Sequence, residues 1–302
     1  MSRFEEIEAF AAVMKAGSIT GAANRLGVAK SVVSRRLSDL EARLGVQLIV
    51  RTTRKLSLTD AGADFLPRAE ALLDDLAEAE AAASAGQTRL SGRLRVAAPL
   101  SFGLRHLRPV ISDFIGQHPD IEIEIDFSDR FVDLVGEGFD VGVRIGALAD
   151  TSLIGRRLCA IRAAVAAAPS FWKRHGVPTH PDDLSALPLL AYDNAPRRGA
   201  VDYWGPKGET GVLTPSVRTL ANNGDFLMDL AADGHGFIVQ PKFFLHDHQK
   251  AGAIETVLSD YEWLNAGLYV LYPPVRQVSA RVRAFVDAVI AAFPSKPSWE
   301  RT

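Results

Sequence analysis

Residues 18–59 open as Ser18-Ile19-Thr20-Gly21-Ala22-Ala23-Asn24-Arg25-Leu26-Gly27-Val28-Ala29-Lys30-Ser31-Val32-Val33-Ser34-Arg35-Arg36-Leu37-Ser38-Asp39-Leu40-Glu41 and close on Leu58-Thr59. Ala22, Ala23 and Leu26 share the inner face of a short helix, and Gly27-Val28 form a turn. Val33, Leu37, Leu40 and Leu44 then line one side of a second helix. This is helix-turn-helix spacing. Lys30, Ser31, Ser34 and Arg35 fall on the other side, at the N-terminal end of the second helix. Only that end of a recognition helix reaches base edges in the major groove, where short donors and cations are needed. The DNA-reading set expected on this helix is Lys30, Ser31, Val32, Ser34 and Arg35.

Charge is distributed in keeping with this. Between Arg25 and Lys55 eight cations face two acids, a local +6 in a chain of net charge −2, so the other residues carry −8. A basic module on an acidic body holds phosphates while the body resists non-specific adhesion. After the second helix, residues 46–50 and 55–58 read as two short strands joined by Arg51-Thr52-Thr53-Arg54. They make a wing, with Arg51, Thr53 and Arg54 expected on phosphates or in the minor groove.

The chain of 302 residues allows one to three domains. Its 47% hydrophobic and 23% charged content is ordinary for a globular protein. No apolar run approaches the roughly 20 residues that span a bilayer, so no membrane partner is expected. The single cysteine, Cys159, excludes an internal disulfide and fits a reducing compartment; Met1-Ser2-Arg3-Phe4-Glu5-Glu6 lacks the order of a signal peptide. A cytoplasmic location is therefore expected.

Upstream, residues 4–15 form a helix with Phe4, Ile7, Phe10, Ala11 and Met14 at helical spacing. Downstream, Thr59 caps a long helix in which Phe65, Ala69, Leu72, Leu76, Ala79 and Ala83 follow alternating spacings of four and three. That seam suits pairing with a second helix, or packing against its own domain. Pro67 lies inside the helix and should kink it. Residues 85–92 look like a hinge.

Beyond the hinge, strands and helices alternate. Residues 94–98 and 121–127 read as strands, with Leu107, Val110, Ile111, Phe114 and Ile115 marking a helix between them. A short helix over 131–137 and a strand over 141–144 complete β-α-β-α-β, a mostly parallel sheet. A second lobe begins near 163–168, with Pro169 opening a helix. It includes helices over 225–232 and 243–248 and a strand over 237–239. Residues 267–272 form an apolar strand, and Val282, Phe285, Val286, Val289, Ile290 and Phe293 mark a last helix.

Over nearly its whole length the chain resembles LysR-type transcriptional regulators. The most specific segments are 18–41, Leu44-Gly45-Val46-Gln47-Leu48, Arg51 and Leu58-Thr59-Asp60-Ala61-Gly62. Weaker matches are Leu94-Arg95-Val96-Ala97-Ala98-Pro99, Phe114 with Pro119, residues 140–146, and Gly234-His235-Gly236-Phe237-Ile238. The resemblance implies an α/β protein with an α-rich N-terminal module. A winged helix-turn-helix (1–59) and a dimerising linker helix with hinge (60–88) would precede a two-lobed effector domain like type II periplasmic binding proteins (89–302). Lobe 1 would take about 89–162 and 268–302, and lobe 2 about 163–267. It also implies homodimers or homotetramers, control of transcription by a small molecule, and RNA polymerase as a further partner. Three positions depart from the family's habit: Ala29 removes a hydroxyl cap worth ~1 kcal/mol, Lys30 replaces a frequent Gln, and Ile49 a frequent Phe.

Ligands in open α/β sheets bind beyond the carboxyl ends of strands. Ser101 and Phe102 follow the first strand, Ser128 and Asp129 the second, Arg144 ends the third, and Asn223 precedes a helix of the second lobe. The effector-binding set expected is Ser101, Phe102, Ser128, Arg144 and Asn223. Their hydroxyls, amides and guanidinium suit a carboxylate, although Asn223 reads equally as a helix cap. His246-Asp247-His248 lacks the further ligands of a metal site, Cys159 reads as a packed apolar residue, and Gly205-Pro206-Lys207-Gly208 as a turn. No cofactor and no catalytic residue is expected.

A dimer would place two recognition helices in successive major grooves of a roughly palindromic operator in double-stranded DNA. An enzyme should show a nucleophile–base pair or metal cluster, a solute carrier a secretion signal, and neither is found. A constitutive architectural binder would not need some two hundred residues of two-lobed structure. The reading is a DNA-binding transcriptional regulator controlled by an effector between two lobes, not an enzyme.

Overall fold

The structure, a computed structural model, describes residues 2–51, 56–84, 90–147, 152–195, 197–264, 266–274, 278–294 and 297–300, apart from the side chains of Arg51, Glu78, Ala79 and residues 81–84. Three helices open the chain: α1 (Arg3–Ala16), α2 (Ile19–Leu26) and α3 (Lys30–Leu44). Gly17, Gly27 and Gly45 end them in the left-handed conformation, with φ of 65°, 65° and 72°. A side chain there would clash with its own backbone, so glycine sets each corner. Phe10, Ala22, Val33, Leu37 and Leu40 close a small core.

The wing is β1 (Ile49–Arg51) paired antiparallel with β2 (Leu56–Leu58), beginning three residues later than the 46–50 expectation. The reason is local. Glu41 accepts the backbone N–H groups of Leu48 and Ile49 at 2.9 and 3.2 Å, which holds that stretch against α3 before pairing starts.

Helix α4 (Asp60–Ser84) runs through Pro67 without interruption. Thr59 caps it, its hydroxyl accepting from the Gly62 N–H at 3.0 Å and donating to the Gln47 carbonyl at 2.7 Å. The expected seam divides along its length. Phe65 and Ala69 belong to the core of the N-terminal module, with the Phe65 ring tilted against that of Phe10 at 5.7 Å between centroids, so they pack within the chain. Leu72 remains 49% exposed. The side chains of Ala79 and Ala83 lie outside the described residues.

Lobe 1 is built on β3 (Ser91–Ala98), the short α5 (Leu100–Phe102) continued by a π-helical turn, α6 (Arg108–Gln117), β4 (Asp120–Phe127) and β5 (Val141–Gly146). The chain then runs through β6 (Ile154–Ile161) into lobe 2 and returns as β14 (Ala266–Tyr272) and α10 (Ala280–Ala292). The sheet order is β4-β3-β5-β14-β6, with β3 parallel to both neighbours and β14 antiparallel to both of its own. The helix expected over 131–137 is absent. Phe131 is 83% exposed, Val132 and Leu134 are buried and Val135 is 52% exposed, so burial alternates with period two. Asp133 and Glu137 close the turns by accepting N–H groups of Gly136 and Asp133, and Gly138 sits at φ 71°.

Lobe 2 holds β7 (Ala163–Ala167), α7 (Pro169–His175), β8 (Pro188–Tyr192), the hairpin β9 (Val201–Trp204) and β10 (Thr210–Leu213), β11 (Ser216–Ala221), α8 (Gly224–Ala232), β12 (Ile238–Pro241), α9 (Lys242–Lys250) and β13 (Glu255–Val257). Antiparallel β12-β7-β13 carries the all-buried alanine–valine strand at its centre. Parallel β8 and β11 join it through a bridge between Leu189 and Phe237. An aromatic cluster ties the lobes on one side: Phe102 packs on Phe243 at 5.5 Å, Phe293 at 5.4 Å and Trp299 at 6.1 Å. Among the described residues no helix is long and apolar enough to cross a membrane.

Candidate DNA-reading face and effector cleft

At the start of α3, Lys30, Ser31 and Arg35 are exposed and Val32 and Ser34 half-exposed, while Val33 and Leu37 point into the core. Ala29 supplies no side-chain cap at the positive dipole end of α3, and its carbonyl accepts the Val32 N–H at 2.9 Å. The cations of this segment split into two groups, which sequence spacing did not reveal. Arg36 turns inward to Glu5 at 2.5 Å, and Arg43 to the buried Glu6 at 2.9 Å. Both tie α3 to α1. Arg35 keeps 76% of its side chain exposed, with Asp39 at 3.8 Å, a loose surface pair. Of the wing residues, Thr53, Arg54 and the Arg51 side chain lie outside the described residues.

In the effector domain, carboxyl ends of strands from both lobes meet, as open sheets require. The segments after β3 and β4 face those after β8 and β11. Two polar clasps cross the gap. Ser101, 2% exposed, donates its hydroxyl to Asp225 at 2.5 Å, and Arg105 pairs with the same carboxylate and with Asp247 at 3.6 Å. In the second clasp, Asn194 donates to the Asp129 carbonyl at 3.3 Å and Tyr192 hydrogen-bonds the Asp129 carboxylate. Burial, with that carboxylate nearby, pushes the Tyr192 hydroxyl up to about 12, so it stays a donor.

The five expected effector residues separate here. Ser101 faces the other lobe as expected, but its partner is Asp225. Phe102 has no exposed surface and belongs to the aromatic cluster between the lobes, which corrects its place in the expected effector-binding set. Ser128 is half-buried and accepts from the Arg130 N–H at 3.3 Å. Arg144 lies over the Phe131 ring at 4.2 Å and donates to the Val132 carbonyl, so it braces the β4–β5 loop. Asn223 caps α8, accepting from Phe226 N–H at 2.8 Å. Asp225, Arg105, Tyr192 and Asn194 were missed, since Ser101 and Asp225 stand 124 positions apart and no local pattern announces the pair.

Other candidates resolve as packing. His106, against Trp299 at 4.3 Å, is pushed down to about 4 by burial and then by Arg105, so it is a neutral aromatic element. Burial raises the Cys159 thiol to about 11, which keeps it protonated and unreactive. Among the described residues no group of three or more His, Cys, Asp or Glu is placed to hold a metal ion.

A winged helix-turn-helix fused to a two-lobed α/β domain with a polar inter-lobe junction defines a ligand-responsive DNA-binding regulator. Residues 4–63 match the bacterial regulatory helix-turn-helix proteins of the lysR family, and residues 87–294 match the LysR substrate binding domain. The chain belongs to the LysR family of transcriptional regulators, a family of regulators and not of enzymes. It is 33% identical over 303 residues to an HTH-type transcriptional repressor of Pseudomonas aeruginosa, covering 100% of this chain and 96% of the relative. With the regulator PtxR of the same species it shares 34% over 281 residues, 93% and 90% of the two chains. Among solved structures it resembles the Vibrio cholerae virulence activator AphB, with TM-score 0.60, 28% identity and coverage of 96% and 99%. CrgA from Neisseria meningitidis gives TM-score 0.59 at 29% identity, with coverage of 95% and 97%.

Proposed function

We propose that the chain reads double-stranded DNA through Lys30, Ser31, Val32, Ser34 and Arg35 at the start of α3, with Arg51, Thr53 and Arg54 of the wing on phosphates or in the minor groove. The outward set of α3 carries the reading. Arg36 and Arg43 are held by Glu5 and Glu6, whereas Lys30, Ser31 and Arg35 face solvent together. Arg suits a bidentate contact to guanine, and Lys a guanine acceptor or phosphate. Homodimers, paired as homotetramers, would set two such helices on a roughly palindromic operator in the cytoplasm, with RNA polymerase as the downstream partner.

The effector of this reading is a small molecule in the inter-lobe junction, contacted by Ser101 with Ser128 and the start of α8 at Asn223. A carboxylate effector would replace Asp225 on the Ser101 hydroxyl and Arg105. It would thereby favour one arrangement of the lobes over the other, the differential affinity that switching needs.

DNA selected from a random pool by the full-length protein gives the probe. Arg35→Ala should weaken binding to the selected duplex by ~1–3 kcal/mol and relax preference at one base pair. Arg54→Ala should weaken all duplexes alike and flatten the salt dependence. Unchanged affinity and sequence preference in the Arg35 variant would remove it from the reading set.

A further inference from the structure

One face of α4 meets lobe 1 of its own chain. Pro67, Glu70, Asp74 and Asp75 recur at i, i+3, i+7 and i+8, a stripe along one side of the helix. Each lies against a group of the effector domain. A Cβ on Gly138 would come within 2.7 Å of the Pro67 Cβ, so only glycine at φ 71° lets the helix approach. Glu70 pairs with Arg93 at 2.5 Å, although 23 residues separate them. Arg93 donates its other nitrogen to Glu124. Asp75 lies 3.6 Å from Arg281.

Arg281 is the informative residue. It is 2% exposed and sits in the first turn of α10, two residues after the Ser279 cap. A buried cation is costly, and at a helix N-terminus the helix dipole opposes it as well. The acidic groups that face it are Asp140 of lobe 1 and Asp74 and Asp75 of α4. Its Nε donates to the Arg93 carbonyl at 3.0 Å, and carboxylates of α4 face its other end. Arg281 thus joins three elements: α10, β3 and the linker helix. The helix in turn is part of the DNA-binding module, through Phe65 and Ala69 in that module's core. Beside this seat runs a crevice of about 340 Å³, with Lys15 and Arg25 on the module side and Asp120 and Glu122 on lobe 1.

We infer that the Pro67–Glu70–Asp74–Asp75 stripe is a docking face for lobe 1 of the same chain, with Arg93 and Arg281 as positioning residues that fix the angle at which the DNA-binding module is presented. The recognition helix itself makes no part of this seat. Undocking therefore changes the placement of two modules relative to each other and leaves each one's own contacts with DNA intact.

The test compares a full selected duplex with the same duplex cut to one half-site, both against the full-length protein. Glu70→Gln with Asp75→Asn removes the Glu70–Arg93 and Asp75–Arg281 pairs from half-buried and exposed positions of α4 and spares the buried Arg281. Gly138→Ala obstructs the seat with no change of charge. Either variant should lower full-duplex affinity by about tenfold, change half-site affinity by less than about twofold, and alter the bend of the full duplex. Glu70→Asp, which keeps the charge, should recover most of the loss. Equal losses on both duplexes would mean a damaged module, and no loss on either would mean that the seat does not set presentation; both overturn the inference. Failure of the unaltered protein to select any sequence would instead refute the DNA-reading assignment on which it rests.

Discussion

Ser101→Ala and Asp225→Ala, singly and together, measure how strongly the two lobes are clasped. The Ser101 hydroxyl is 2% exposed and donates at 2.5 Å to a carboxylate. A charge-assisted bond to a buried group contributes ~1.5–3 kcal/mol. Arg105 adds a second contact to Asp225, but with side chains 29% and 33% exposed it is worth at most about 1 kcal/mol after screening. Asp225→Ala should therefore cost ~2–4 kcal/mol, Ser101→Ala ~1–2 kcal/mol, and the double variant less than their sum by ~1–2 kcal/mol. All four tryptophans, Trp172, Trp204, Trp263 and Trp299, lie in the effector domain, so their fluorescence during urea unfolding reads that domain within the intact chain. DNA affinity without effector should stay close to that of the unaltered protein, because the reading face is on another domain. Additive single effects, with a coupling below about 0.3 kcal/mol, would refute the clasp.

Gly62→Ala should destabilise the N-terminal module by ~3 kcal/mol or more, since its Cβ would stand 2.0 Å from the Leu48 carbonyl oxygen; a thermal melt unchanged within error would contradict this packing. His106 has its folded value near 4 against 6.5 in the unfolded chain, so the unfolded state binds the extra proton between them. Stability from this group is complete above pH ~6.5 and is lost as pH falls toward 4, and His106→Phe should flatten that part of the stability–pH curve; an identical slope in the variant would exclude it as the cause. Leu72→Asp with Leu76→Asp should weaken the dimer and full-duplex binding together, because Leu72 is 49% exposed on the single chain. Sedimentation showing an intact dimer at low micromolar concentration would move the main subunit contact elsewhere.

The sequence by itself determined the N-terminal module and the alternation of strands and helices that opens lobe 1, but not β6, β8 to β11 or β13. Its signals are local: Gly27-Val28 between two helices, Thr59 ahead of a third, and apolar residues at helical spacing. Local backbone physics acts over a few residues, so neighbours suffice to read it. The same physics, applied at 131–137, gave a helix where the structure has a loop, because four apolar residues in five fit both periods until burial decides between them. Only the tertiary structure decided which polar groups meet. Ser101 finds Asp225, Arg36 finds Glu5, and Arg281 finds α4, across 124, 31 and about two hundred positions. Phe102 and Ser101 are neighbours in the chain, yet one enters the aromatic core and the other faces the opposite lobe. Such pairings depend on how sheets and helices stack, where the energy of a contact is set by burial and distance in space, and neither quantity is written in the spacing of residues along the chain.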